Sequence, residues 1–277
     1  MHKLLKTALP LGAAAAVGGA ALLFALAPGR AKTQQKAPFM GRNIAHRGLH
    51  SVDKTVPENS LAAFRAAVEH GYGVELDVHL TADDRLVVFH DDTLERMCAV
   101  EGRITDFSYA ELCQLRLNGT DQRIPLLEEV LAVIGGKVPI VLEIKRSRRN
   151  RETCQHVYHA LWRYRGAYCV ESFDPMVVRW WKKNAPQVLR GQLSCRREEL
   201  HGTTRLNAFL LSHLLTNFLC RPHFIAYGIC EKKPWTLRLC ERMGAMRVAW
   251  TSRSWKSEAD HDTVIFEFYR PRIRFKS

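Results

Sequence analysis

The sequence predicts an α/β fold, a (β/α)8 TIM barrel, on three observations. Apolar, strand-like stretches alternate with helix-patterned ones from Asn43 to Phe268, which implies parallel sheet. Eight or nine such stretches fall within residues 42–277, a number that suits a closed barrel better than an open sheet. The first four strand-like stretches all end in histidine or charged residues, and a barrel gathers strand ends at one rim.

The elements follow in order. Asn43–His46 reads as a short strand. Leu61–His70 has helical spacing at Leu61, Phe64, Ala67 and Val68, with Asn59 or Ser60 placed to cap it. Val74–His79 alternates, with Val74, Leu76 and Val78 on one face and Glu75, Asp77 and His79 on the other. Leu86–His90 is the third strand, and residues 104–124 form a small insertion after it, with Tyr109–Leu115 as its helix. Val138–Lys145 and Ala167–Phe173 are apolar runs ending in charge or aromatic residues. Helices are expected over Leu126–Ile134, Thr153–Tyr164 and Pro175–Lys183. The remaining strands are Leu189–Leu193, Phe224–Ile229, Met246–Thr251 and Val264–Phe268.

Composition bounds the function. A hydrophobic content of 47% excludes a disordered chain, and 277 residues suit one large domain or two small ones. The formal charge of +13 favours anionic partners, yet no repeat and no nucleic-acid motif is present. The domain limits read from the sequence are 1–29 for an N-terminal transmembrane or signal-anchor segment, 30–41 for a polar linker and 42–277 for the barrel. Thr7–Gly29 carries no charge and is long enough to cross a hydrocarbon core of about 30 Å. A cleaved signal peptide ending at Ala25-Leu26-Ala27 is the rival reading, and Pro28 after the cut argues against it. The basic flank at Arg30, Lys32, Lys36 and Arg42 leans towards a cytoplasmic catalytic domain. The eight cysteines form no C-x-x-C pair and read as free, buried thiols.

The strand ends carry the chemistry. His46-Arg47-Gly48 ends the first, Glu75 and Asp77 lie near the end of the second, His90-Asp91 ends the third, and Glu143 and Lys145 end the fourth. Residues two apart on a strand share a face, so Glu75 projects with Asp77 and Glu143 with Lys145. Three inward carboxylates are expensive to desolvate, and a divalent cation offsets that. Oxygen donors suit Mg²⁺ or Ca²⁺, with a zinc site using His46 or His90 as the lesser alternative. Salt bridges to Arg47 and Lys145 without a metal are the simpler alternative. Two histidines beside such a cluster fit general acid–base work, and Arg47 and Lys145 fit a phosphate. Gly48 would let the backbone turn close to the ligand. These parts describe cleavage of a phosphodiester.

At these residues the sequence resembles the glycerophosphodiester phosphodiesterase family. The matching stretches are His46-Arg47-Gly48, Pro57–Phe64, Glu75-Leu76-Asp77-Val78, Val88–Leu94, Ile124-Pro125 with Leu127–Leu131, Glu143-Ile144-Lys145 and Ser172–Pro175. The resemblance implies a (β/α)8 barrel that hydrolyses glycerophosphodiesters to glycerol 3-phosphate and an alcohol. It implies Glu75, Asp77 and Glu143 as metal ligands, His46 and His90 as the acid–base pair, Arg47 and Lys145 on phosphate, and Glu58 lining the site. Trp250, followed by Thr251, would wall the substrate pocket. The chain departs from the pattern at Ser252-Arg253 and at Ile265–Pro271, which the resemblance places on the alcohol side. A lysophospholipase D-like or cyclising lipid phosphodiesterase at the membrane is the second reading. A non-catalytic protein that binds phosphate ligands is the third.

Overall fold

Eight strands close into a parallel barrel, largely buried on both faces, with helices covering most of the outer face. The computed structural model describes residues 16–276. The strands are β1 (Arg42–Ala45), β2 (Gly73–Leu80), β3 (Leu86–Val88), β4 (Ile140–Ile144), β5 (Tyr168–Ser172), β6 (Leu189–Ser194), β7 (Phe224–Gly228), β8 (Met246–Ser252) and β9 (Thr263–Phe266). Parallel pairing runs from β2 through β4 to β9, and β1 closes the ring by pairing with both β9 and β2. Outward residues of the strands, such as Leu76, Ile140, Leu142 and Val170, pack with Phe64, Leu131, Val157 and Trp181 from the helices. Inward residues, among them Ile44, Val141, Cys169, Leu189 and Ile265, fill the barrel with Phe39 beneath them. The interior is thus apolar low down and acidic near the rim.

The third strand differs from the expectation. Leu86–Val88 pairs antiparallel with β2, through Val78 with Val88 and Leu80 with Leu86, and lies outside the barrel. Only residues 81–85 separate the two strands, too few for the crossover that a parallel neighbour needs. Thr81 closes this tight hairpin, its backbone N–H and side-chain hydroxyl both bonding to Arg85. The excursion therefore leaves the barrel after its second strand. It carries its own apolar cluster, including Val87, Phe89, Leu94, Ile104, Leu112 and Ile124. Its helix is Tyr109–Leu112, capped reciprocally by Ser108 and Glu111.

The N-terminal anchor is not borne out. No helix among the described residues is long and apolar enough to cross a membrane. Residues 7–15 of the expected span lie outside the described residues, and the helix over 16–26 rises only about 16 Å. Its end is committed to the protein. Leu26 is buried against Leu214, Ile225, Tyr227 and Leu237. Arg221 donates to the carbonyls of Phe24 and Ala27 at 2.7 and 2.8 Å, and Asn217 donates to that of Leu26 at 3.2 Å. The membrane localisation, and the orientation inferred from its flanking charges, have no span to act on among the described residues. All eight cysteines are free, as expected.

Candidate active site

Register brings the acidic residues together. Asp77 of β2 is the partner of Glu143 on β4, which is the partner of Glu171 on β5. Partners in a sheet share a face, so all three project into the barrel, and Glu75 projects with Asp77. Glu75, Asp77 and Glu143 are all buried and offer oxygens within 4.8 Å of one another. Lys145 bridges Glu143 Oε1 at 2.9 Å and Asp77 Oδ1 at 3.2 Å. Arg47 holds Glu75 through its backbone N–H at 3.0 Å and sets its Nε 3.5 Å from Asp77. Asn59 donates to Asp77 Oδ2 at 2.9 Å, so it acts on the cluster and leaves the helix cap to Ser60.

The cluster holds more negative charge than its cations neutralise. Burial, then Asp77, Glu143 and Glu171, push Glu75 well above the usual carboxylate range. Burial works against ionising Asp77 as well, but Lys145, His90 and Arg47 hold its carboxyl well below that range. Lys145 stays protonated because Glu143 and Asp77 outweigh its burial. Arg47 is shared with Glu58, which it meets at 2.7 Å. The salt bridges foreseen as the simpler alternative are therefore present, and they leave a charge deficit that a divalent cation fits.

Each histidine is oriented by a carboxylate. His46 Nδ1 lies 3.0 Å from Glu267 Oε2, which leaves Nε2 facing Glu75 at 3.9 Å. Burial lowers His46 to about 4, against the raising effect of the Glu267 bond. Burial would raise Glu267, yet His46 and the two bonds from Arg253 hold it at about 2. His90 Nδ1 lies 2.6 Å from Asp91. Asp91 accepts from Arg96 at 2.5 Å, and Arg96 grips Glu58 at 2.7 and 3.0 Å. One ionic chain thus runs from Arg47 through Glu58, Arg96 and Asp91 to His90, tying the loop after β1 to the loop after β3.

The cluster borders a cavity of about 140 Å³. His46, Arg47, Glu75, His90 and Glu143 form its polar side, and Phe173, Leu193, Trp250 and Ile265 its apolar side. Phe173 and Trp250 meet edge to face at 5.6 Å, and Trp250 Nε1 is tied to the Ala226 carbonyl at 2.9 Å. His46, Arg47, Glu75, His90, Glu143 and Trp250 line this cavity, and Asp77, Lys145 and Glu58 pair with residues that do. His79 is buried, with its ring Nε2 3.4 Å from the His90 carbonyl. Gly48 turns with φ 78, and a Cβ there would lie 2.8 Å from Ala63 backbone, so its smallness serves helix packing, not the ligand. Sequence reasoning passed over Glu171 and Arg96, and it gave Phe173 and Glu267 no role beyond their place in Ser172–Pro175 and Ile265–Pro271. Glu267 falls among the C-terminal departures, and its contact is with His46.

A sequence model of the glycerophosphoryl diester phosphodiesterase family matches residues 46–266. A glycerophosphodiester phosphodiesterase of Caldanaerobacter subterraneus subsp. tengcongensis is 34% identical over 221 residues, 73% of this chain and 88% of that protein. A lysophospholipase D of Rattus norvegicus is 38% identical over 125 residues, 40% of this chain and 38% of its own length. The fold is shared with a phosphodiesterase of Oleispira antarctica solved with its product sn-glycerol-3-phosphate. That likeness has a TM-score of 0.67 at 24% identity, over 82% of this chain and 93% of that one. A glycerophosphodiester phosphodiesterase of Thermotoga maritima gives a TM-score of 0.60 at 27% identity, over 81% and 93% of the two chains.

Proposed function

The chain belongs to the glycerophosphoryl diester phosphodiesterase family, and from that premise we propose that it hydrolyses glycerophosphodiesters to glycerol 3-phosphate and an alcohol. The observation that carries this is the buried Glu75–Asp77–Glu143 cluster flanked by two carboxylate-oriented histidines at one small cavity. The three carboxylates would hold one Mg²⁺ or Ca²⁺, which when bound supplies Lewis-acid polarisation of the phosphoryl oxygens. Arg47 and Lys145 hold the phosphate. Buried and neutral at pH 7, His46 takes the proton from the attacking oxygen at Nε2, while Glu267 fixes its tautomer. His90, whose side chain is 33% exposed, gives a proton to the alcohol oxygen that leaves towards solvent.

The test is release of glycerol 3-phosphate from glycerophosphocholine by the purified chain of residues 1–277. Release is expected with Mg²⁺ or Ca²⁺ and none with EDTA. Release that EDTA leaves untouched removes the cation. No release with either metal, alongside cleavage of lysophosphatidylcholine, moves the substrate to lysophospholipids.

Glu267→Gln supplies a pH test. The Glu267 carboxylate raises the His46 pKa, so removing its charge lets burial depress that pKa further. The acid limb of kcat/KM is then expected to move to lower pH. The plateau should fall at least about tenfold, because the tautomer is no longer fixed. A pH–rate profile superimposable on that of the wild type would separate Glu267 from His46.

A further inference from the structure

Glu171 has no part in the roles assigned above, yet it faces the same cavity. It is 2% exposed, and its Oε2 has no hydrogen-bond partner among the described residues. A buried carboxylate oxygen left without a donor is expensive, so a donor from outside the protein is the natural complement. It stands apart from the three carboxylates whose oxygens converge within 4.8 Å. It sits where the polar wall meets the apolar wall of Phe173, Leu193, Trp250 and Ile265.

This part of the cavity is built rigidly. Ser172 Oγ donates to the Ile144 carbonyl at 2.7 Å and ties β5 to β4. Gln192 Nε2 donates to the Ser172 and Phe173 carbonyls at 3.1 and 3.0 Å and ties β5 to β6. The bond from Trp250 to the Ala226 carbonyl holds the opposite wall. A fixed cavity of about 140 Å³ has room for several waters and accommodates a three-carbon polyol. Such a group presents C–H surface to the aromatic wall and O–H donors to an acceptor.

We propose that Glu171 accepts a hydrogen bond from a free hydroxyl of the substrate's glyceryl group and thereby sets the preference for glyceryl diesters. The proposal rests on the phosphodiesterase reading and names a specificity residue within it. Glu171 touches neither the attacked phosphorus nor the leaving alcohol, so its effect follows the hydroxyl and not the chemistry.

The experiment compares three diesters of phosphocholine, made with glycerol, with 1,2-propanediol and with 1,3-propanediol, each through a terminal oxygen. The wild type is expected to favour the glyceryl compound over at least one deoxy analogue. Glu171→Ala should lose about 10- to 100-fold in kcat/KM on the glyceryl compound and little on that analogue, so the preference collapses. Glu171→Gln keeps an acceptor oxygen and should recover part of the preference. Equal losses on all three diesters, or no loss on any, overturn the proposal. Calorimetric titration with Mg²⁺ or Ca²⁺ is the second readout. Unchanged stoichiometry in Glu171→Gln is expected. Loss of the bound cation would make Glu171 a cation ligand and overturn its role towards hydroxyl. Melting temperatures at or above that of the wild type show that the variants fold. A wild type inactive on every diester defeats the phosphodiesterase reading itself, and this proposal with it.

Discussion

His46→Ala and His90→Ala are each expected to lower kcat by about 10²–10⁴-fold while the barrel stays folded. Both side chains lie at the rim, outside the apolar clusters that hold the strands and helices together. Removing His46 leaves Glu267 paired with Arg253, and removing His90 leaves Asp91 paired with Arg96, so neither loss strands a buried charge. Melting temperatures near that of the wild type are the control. The two variants should then part company. His46 is placed as base, so His46→Ala should lose the acid limb of the pH profile. His90 is placed as acid, so His90→Ala should lose most on substrates whose leaving oxygen needs a proton. A glycerophosphodiester of 4-nitrophenol, whose leaving oxygen needs no proton, should restore His90→Ala towards wild-type rates and leave His46→Ala slow. Full activity in either variant with glycerophosphocholine sinks its assignment, and rescue of His46→Ala alone exchanges the two roles.

The positions of these residues were legible in the sequence because their signals are local. Strand ends, side chains two apart on a strand and the alternation of strand with helix are read within a few residues, and Glu75, Asp77, Glu143 and Lys145 meet as that reading implies. What escaped depends on closure of the ring. Glu267 reaches His46 across the β1–β9 seam, and nothing in a short window links positions so far apart. Glu171 was more accessible. A carboxylate inside the run Tyr168–Ser172 carries the same signal as Glu143 inside Ile140–Ile144, and the register makes them partners. The antiparallel β3 was also within reach, since residues 81–85 leave no space for a crossover helix. The anchor reading failed for a different reason. Apolar length alone cannot separate a segment that enters lipid from one whose end packs on a barrel, and the contacts of Leu26 decide that point.

Glu75→Gln is expected to raise the Mg²⁺ or Ca²⁺ concentration for half-maximal activity by on the order of 100-fold, and to stabilise the metal-free protein. The first effect follows from losing one anionic oxygen of three, a larger change than the 10- to 100-fold typical of groups that only orient ligands. The second follows from the sign of the Glu75 shift. Burial, Asp77, Glu143 and Glu171 raise its folded pKa above the usual value. A raised carboxylate contributes stability below its unfolded pKa and loses that contribution as pH rises through the folded value. As pH rises towards neutral the metal-free wild type therefore loses stability at Glu75, a loss that the amide, which does not titrate, escapes. A bound cation reverses the balance, because it neutralises the same oxygens. A cation at about 100 times its Kd adds about 2.7 kcal/mol to the wild type, or roughly 5–10 °C in Tm, and much less to the variant. Melting curves with EDTA and with each metal read both effects together. A variant that melts below the wild type in EDTA contradicts the charge crowding. An unchanged metal requirement takes Glu75 out of the ligand set and leaves Asp77 and Glu143 to hold the ion with water.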